Sequence, residues 1–253
     1  MLNIVIPMAG LGSRFAKAGY IDPKPLIKIH NIPMIRLVIE NLKPNVTHRF
    51  IFIVQREHNE KYNLETYLKE WAPGCEILIL DGLTEGAACT VLAAKHLINN
   101  NDPLMIANSD QYIDININDY LSKLENGDID GLIMTMSAND PKWSFVELGK
   151  HELATRVIEK EVISNEATVG IYNFKHGNDF INAAEQMISN NERVNGEFYV
   201  APVYNNLIKT GSKIRIYNIG QEANGMYGLG IPDDLNLFLS MDISLQAING
   251  ILA

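Results

Sequence analysis

Residues 7–26 read PMAGLGSRFAKAGYIDPKPL, and they follow the apolar run NIVI at positions 3–6. Gly10 and Gly12 come directly after that strand-like run, where positive φ is open to glycine and main-chain N–H groups can approach an anion closely. Arg14 adds a planar fork suited to phosphate oxygens. Lys24 lies between Pro23 and Pro25, whose rings restrict the backbone on both sides of it. Within residues 1–30, Arg14, Lys17, Lys24 and Lys28 stand against Asp22 alone, in a chain of net charge −9. A basic end on an acidic protein points to a small anionic ligand. Two familiar glycine motifs do not fit: a dinucleotide fingerprint needs glycine where Phe15 stands, and no GK[ST] follows for a P-loop. An ordinary strand–loop–helix junction remains open on glycine content alone.

Outward from this loop, short β-branched runs alternate with amphipathic stretches. NIVIP precedes PMIRLVIENL, RFIFIV precedes NEKYNLETYLKEW, EILIL precedes GAACTVLAAKHLI, and PLMIA precedes NINDYLSKL. This alternation predicts an α/β fold with a doubly wound, mixed but mostly parallel sheet. DGLIMTM, WSFVEL, ATRVIEK and ATVGIYNF come with short turns and few helices, which predicts a small antiparallel elaboration over the mouth of the sheet. Helical patterns resume at NDFINAAEQMIS, FYVAPVYNNLIKT and DDLNLFLSMDISL, with KIRIYNI as a late strand. A single domain over residues 1–253 is expected.

The 253 residues are 47% hydrophobic, enough for a sizeable core. The acidic balance argues against nucleic acid and against an anionic membrane surface. The opening MLNIVIPMAG lacks a signal-peptide pattern and no run is long enough for a membrane span, so a cytoplasmic location is expected. Cys75 and Cys89 have no metal or disulfide spacing, and neither HExxH nor GxSxG occurs.

GLGSRF followed by PKPL resembles the signature of the sugar-phosphate nucleotidyltransferases, enzymes with a Rossmann-like, GT-A-like fold. The resemblance implies that Ala9, Gly10, Gly12 and Ser13 wrap an incoming nucleoside triphosphate. It further implies that Arg14 grips the β and γ phosphates and Lys24 the α phosphate. Gly86 and Ala87 of DGLTEGAAC match the turn that reads the nucleobase, though small residues there also suit tight packing. Asp110, after PLMIANS, matches a Mg²⁺-binding aspartate, and it could also cap the next helix. Asp233 of GLGIPDDL matches the second metal carboxylate, with Asp234 left to helix-end chemistry.

On the acceptor side, Glu159 and Lys160 of ATRVIEKEV resemble the strand that contacts the acceptor and holds its phosphate. Glu161 replaces a usual proline there, and EKE alone reads as a solvated charge run. Gly170 marks a close approach of backbone to acceptor, and Glu197 matches an acceptor-binding glutamate, while Tyr199 suits either the pocket or the core. The implied division is a nucleotide-binding part over 1–135, an acceptor-binding part over 136–230, and a C-terminal helix with the second metal aspartate over 231–253. The implied reaction is attack of an acceptor phosphate on the α phosphorus of a nucleoside triphosphate, with Mg²⁺ as cofactor. PMAGLGSRF and NGEFYVAPVYNNLI look most like cytidylyltransferases of bacterial capsule loci, which favours CTP as donor and phosphoglutamine as acceptor. A sugar 1-phosphate acceptor, a glycosyltransferase and a non-catalytic nucleotide-binding module are the alternatives, and a homo-oligomer stays open.

Overall fold

The computed structural model describes residues 1–253 apart from 11, 126 and 253. Strand β1 (Leu2–Pro7) leads through α1 (Ser13–Lys17) and a single 3-10 turn at Lys24–Leu26 to a small hairpin, β2 (Lys28–Ile29) and β3 (Ile32–Pro33). Then come α2 (Met34–Leu42), β4 (His48–Gln55), α3 (Arg56–Tyr62), α4 (Leu64–Trp71) and β5 (Glu76–Leu80). The next unit holds α5 (Ala87–Leu92), α6 (Lys95–Ile98), β6 (Leu104–Ala107), β7 (Gln111–Ile113) and α7 (Ile117–Glu125). The middle runs through β8 (Gly131–Ser137), β9 (Ser144–Leu148), β10 (Ala154–Glu159) and β11 (Glu166–Phe174). The chain closes with α8 (Gly177–Ser189), α9 (Tyr204–Lys209), β12 (Ile214–Glu222), β13 (Gly225–Gly228), α10 (Pro232–Leu239) and α11 (Asp242–Leu252).

Among the described residues, eleven strands form one sheet in the order β5-β4-β1-β6-β11-β8-β12-β13-β7, with β9 joined to β11 and β10 to β9. β1 is parallel to both β4 and β6, and β4 is parallel to β5. β11 enters antiparallel between β6 and β8, and β9 and β10 extend it antiparallel. The sheet is therefore mixed and mostly parallel on its nucleotide-loop side, with the expected antiparallel elaboration in the middle.

Strand alternation sends successive side chains to opposite faces, and the cores follow that rule. Ile4, Ile6, Phe50 and Phe52 pack with α2 and α4, whereas Val5, Ile51 and Ile53 pack with α5, α8 and α9. Each of these fully buried side chains contributes roughly 1.5–3 kcal/mol relative to exposure. A third cluster joins Phe15 of α1 to Leu235, Phe238 and Ile248 of the last two helices, so the start and end of the chain are packed together.

Three expected helices come out divided. NEKYNLETYLKEW breaks at Asn63, whose left-handed φ of 52° separates α3 from α4. GAACTVLAAKHLI pauses at Ala93–Ala94, and DDLNLFLSMDISL turns at Ser240–Met241. In FYVAPVYNNLIKT, Pro202 holds the first turn as a 3-10 segment, and α9 starts only at Tyr204. The short strands β2, β3, β7 and β13 carry too few residues to show a period, and the sequence reading does not contain them.

Candidate functional site

β1 is flanked by β4 on one side and β6 on the other, and ligands of parallel sheets bind beyond the carboxyl ends of strands at such a reversal. A cavity of about 590 Å³ opens there, bounded by Pro7 at the end of β1 and by Asn108, Ser109 and Asp110 after β6.

The loop that follows β1 forms its near wall. Gly12 adopts φ 59°, and a Cβ there would meet the Lys24 Cβ at 3.2 Å, so glycine lets the loop close on the lysine. Phe15, buried and edge-on to Tyr20 at 5.1 Å, anchors the short helix that carries Arg14. Gly12, Ser13, Arg14 and Lys24 line the cavity. Ala9 and Gly10 lie just outside the lining; the Ala9 carbonyl accepts a 2.6 Å hydrogen bond from Gln55 Nε2, which fixes the base of the loop.

The Lys24 ammonium donates to Asp110 Oδ2 at 2.7 Å, with both side chains three-quarters buried or more. These residues are 86 positions apart, and the fold brings together the two groups that the family resemblance implies for the α phosphate and for the metal. Opposite Asp110 the chain has only glycine: a Cβ on Gly230 would lie 2.5 Å from Asp110 Oδ2, and one on Gly228 would lie 3.1 Å from Asp234 Oδ2. The two carboxylates thus flank a cradle that side chains at 228 and 230 would fill.

The structure places the two neighbouring aspartates differently. Asp233, the expected second metal aspartate, is exposed and outside the lining, while Asp234, expected only to serve the helix end, lines the cavity. Successive helical residues are turned by about 100°, and at the start of α10 that turn carries Asp234 to the cavity and Asp233 to the exposed side. Burial raises the Asp234 carboxyl above its ordinary range, with Lys142 and Arg14 pulling the other way. Among the described residues no three His, Cys, Asp or Glu side chains form a ready metal cage. Two carboxylates fit Mg²⁺, which keeps water and takes substrate phosphate oxygens as its remaining ligands.

The far wall carries the acceptor candidates. Glu159, 8% exposed, accepts a short hydrogen bond from the Ser144 hydroxyl, and burial raises its carboxyl. Lys160 adopts φ 59°, and its ammonium donates to the Tyr199 hydroxyl at 2.7 Å while lying 4.8 Å over the ring. That hydrogen bond raises the Lys160 pKa, and Tyr199 joins the site rather than the core. Glu197 lines the same wall. Gly170 has φ 82° at an irregularity of β11, and a Cβ would overlap Asn108 Nδ2 at 2.1 Å, so only glycine allows β11 to meet the loop after β6.

At the turn expected to read the nucleobase, Ala87 lines the cavity and Gly86 stands behind it with φ 132°. A Cβ on Gly86 would come within 2.4 Å of the Phe198 carbonyl oxygen, so this glycine serves close packing of the turn against the loop that carries Glu197.

Several lining residues were not legible in the sequence. Lys142 brings a fourth cation beside Arg14, Lys24 and Lys160; burial works against its ammonium, but Glu222 at 2.7 Å outweighs this and raises its pKa. Trp143 lines the cavity, and its Nε1 is buried without a partner among the described residues. Both lie in the turn DPKW, which has no period or motif to mark it.

The profile of the nucleotidyl transferase family matches residues 4–200. The bifunctional protein GlmU of Methanococcus maripaludis (strain C7) is 28% identical over 252 residues, covering 96% of this chain and 56% of that protein. A mannose-1-phosphate guanyltransferase of Gibberella zeae is 27% identical over 176 residues, covering 67% of this chain and 48% of that protein. The chain spans about half the length of the curated relatives it matches. Among solved structures, a nucleoside-diphosphate-sugar pyrophosphorylase from Vibrio cholerae RC9 superposes with a TM-score of 0.80 at 26% identity, covering 94% of this chain and 100% of its own. A UDP-glucose pyrophosphorylase from Acinetobacter baumanii, TM-score 0.71 at 16% identity and covering 100% and 99%, shares the fold.

Proposed function

From the premise that this chain belongs to the nucleotidyl transferase family, we propose that it transfers a nucleoside monophosphate from a nucleoside triphosphate to a sugar 1-phosphate, releasing pyrophosphate. The observation that carries the proposal is convergence: Gly12, Arg14, Lys24 and Asp110 form one wall of a single cavity, and Glu159, Lys160 and Glu197 form the other. The sugar 1-phosphate draws support from the named activities of the matched guanyltransferase and pyrophosphorylase. Side-chain chemistry agrees, since the two lining carboxylates Glu159 and Glu197 suit a hydroxyl-rich acceptor.

The acceptor phosphate oxygen attacks the α phosphorus, a new P–O bond forms, and the bond to the bridging oxygen breaks so that pyrophosphate leaves. A phosphate dianion needs no covalent protein nucleophile; the site must align it and offset charge. Lys24 exchanges Asp110 for the α phosphate as charge develops there, Arg14 holds the leaving pyrophosphate, and Lys160 brings the acceptor phosphate into line. Glu159, kept in place by Ser144, and Glu197 accept hydrogen bonds from acceptor hydroxyls. Mg²⁺, when bound, would be held by Asp110 with Asp234 and would neutralise phosphate charge. The site of action is proposed to be the cytoplasm; among the described residues no helix is long and apolar enough to cross a membrane.

CTP with phosphoglutamine is the second reading, and it rests on PMAGLGSRF and NGEFYVAPVYNNLI. Pyrophosphate release, measured with Mg²⁺ and each of CTP, UTP, dTTP, GTP and ATP against several sugar 1-phosphates and phosphoglutamine, separates the two. Release with a sugar 1-phosphate supports the first, release only with CTP and phosphoglutamine the second, and silence in every combination contradicts both.

A further inference from the structure

The loop that follows α8 is organised around one side chain. Asn191, Asn195 and Gly196 take left-handed φ values of 53°, 49° and 84°, and Val194 and Glu197 exchange both backbone hydrogen bonds at 3.0 Å, closing a tight turn. Arg193 spans that turn from within: its Nε donates to Asn191 Oδ1 at 2.7 Å and its Nη1 to the Gly196 carbonyl at 3.2 Å. The same guanidinium lies 4.2 Å over the Phe198 ring and donates through Nη2 to Glu85 Oε1 at 3.0 Å.

Glu85 belongs to the nucleobase turn, and the backbone repeats the connection. The Phe198 N–H donates to the Glu85 carbonyl at 2.8 Å, and the Ala88 N–H donates to the Phe198 carbonyl at 3.0 Å. Gly86, which has no room for a Cβ against Phe198, brings the two segments into direct contact. Immediately beyond this junction come Glu197 and Tyr199, which line the acceptor wall, and Tyr199 holds the Lys160 ammonium.

We propose that Arg193 is a positioning residue that ties the acceptor loop to the nucleobase turn, so that nucleotide binding sets the acceptor wall before an acceptor arrives. This rests on the functional reading above, in which residues 84–88 meet the base. An exposed ion pair alone contributes little. The guanidinium acts instead as a planar fork that satisfies the turn, the ring and the neighbouring carboxylate in one orientation, which a lysine cannot reproduce. Glu197 and the Tyr199–Lys160 pair then shift with the base turn as one unit.

Hydrogen–deuterium exchange on the full chain, with Mg²⁺ and each of CTP, UTP, dTTP, GTP and ATP in the absence of acceptor, tests this. In the wild type, a nucleotide that slows exchange in segment 84–88 should also slow it in segment 191–199, by about fivefold or more, the lower range of allosteric coupling. In Arg193→Ala the protection at 84–88 should persist while that at 191–199 is lost, and Arg193→Lys should fall between the two. Should Arg193→Ala fail to show a cooperative melt, Glu85→Ala removes the exposed partner alone and should weaken transmission in the same direction. Protection of 84–88 without 191–199 in the wild type, or equal protection of both in Arg193→Ala, would overturn the proposal. Absence of protection at 84–88 with every nucleotide would overturn the functional reading, and the coupling with it.

Discussion

The two walls of the cavity solve different problems with different materials. One wall is built from a glycine loop and the Lys24–Asp110 pair, and what it offers a ligand is fixed by backbone shape. The acceptor wall is built from side chains that hold each other: Ser144 on Glu159, Tyr199 on Lys160, and Arg193 across to Glu85. On the proposed reading, the first wall binds the phosphates common to every nucleoside triphosphate and can be rigid and general, whereas the second distinguishes acceptors through a set of mutually supported side chains. Substitutions on the first wall should therefore abolish turnover, and those on the second should redirect or weaken acceptor binding.

The largest effect is expected for Lys24→Ala and Asp110→Ala, each lowering kcat about 10²–10³-fold in a pyrophosphate-release assay, the loss typical of removing one group that stabilises transition-state charge. A loss confined to KM would move Lys24 to general binding. Next, Asp234→Asn should reduce turnover severely and weaken Mn²⁺ binding measured by electron paramagnetic resonance, while Asp233→Asn stays close to wild type in both. The opposite ranking would return the second metal position to Asp233. On the acceptor wall, Lys160→Met should raise KM for the acceptor about 10–100-fold and leave KM for the nucleotide nearly unchanged, since a charge-assisted bond to phosphate is lost.

The smallest effect concerns stability. Burial raises the Glu159 carboxyl above its ordinary 4.5, so the folded state holds that proton more tightly than the unfolded chain does. The stabilisation from the protonated group is complete below pH 4.5 and is lost as pH rises through the raised value. Glu159→Gln should therefore melt at a higher temperature than wild type at neutral pH, with the gain fading as pH falls through the carboxylate range. An equal gain at all pH values would mean that the buried charge is not its source.

The contrast between the walls also explains what the sequence disclosed. Long apolar runs such as RFIFIV and EILIL became β4 and β5, and GLGSRF with PKPL marked the phosphate loop, because backbone constraints leave glycine and proline at fixed places. Glu159, Lys160 and Glu197 could be named only through resemblance; by spacing alone EKE is a surface charge run. Lys142, Trp143 and Arg193 escaped because their roles come from tertiary placement: residues 142 and 222 meet across 80 positions, and 193 and 85 across 108. The choice between Asp233 and Asp234 depends on how α10 is rotated about its axis, which packing of Leu235 and Phe238 decides and two adjacent aspartates cannot show.

The fate of a label separates transfer at the α phosphorus from attack elsewhere on the triphosphate. CTP, UTP and dTTP carrying ³²P at the α or at the γ position would be incubated with Mg²⁺ and sugar 1-phosphates, and the products separated. Transfer at the α phosphorus puts α label in a nucleoside diphosphate sugar, formed from the nucleoside monophosphate and the sugar phosphate, and γ label in pyrophosphate. Label from the γ position in the acceptor, or α label recovered only in free nucleotide, would contradict it.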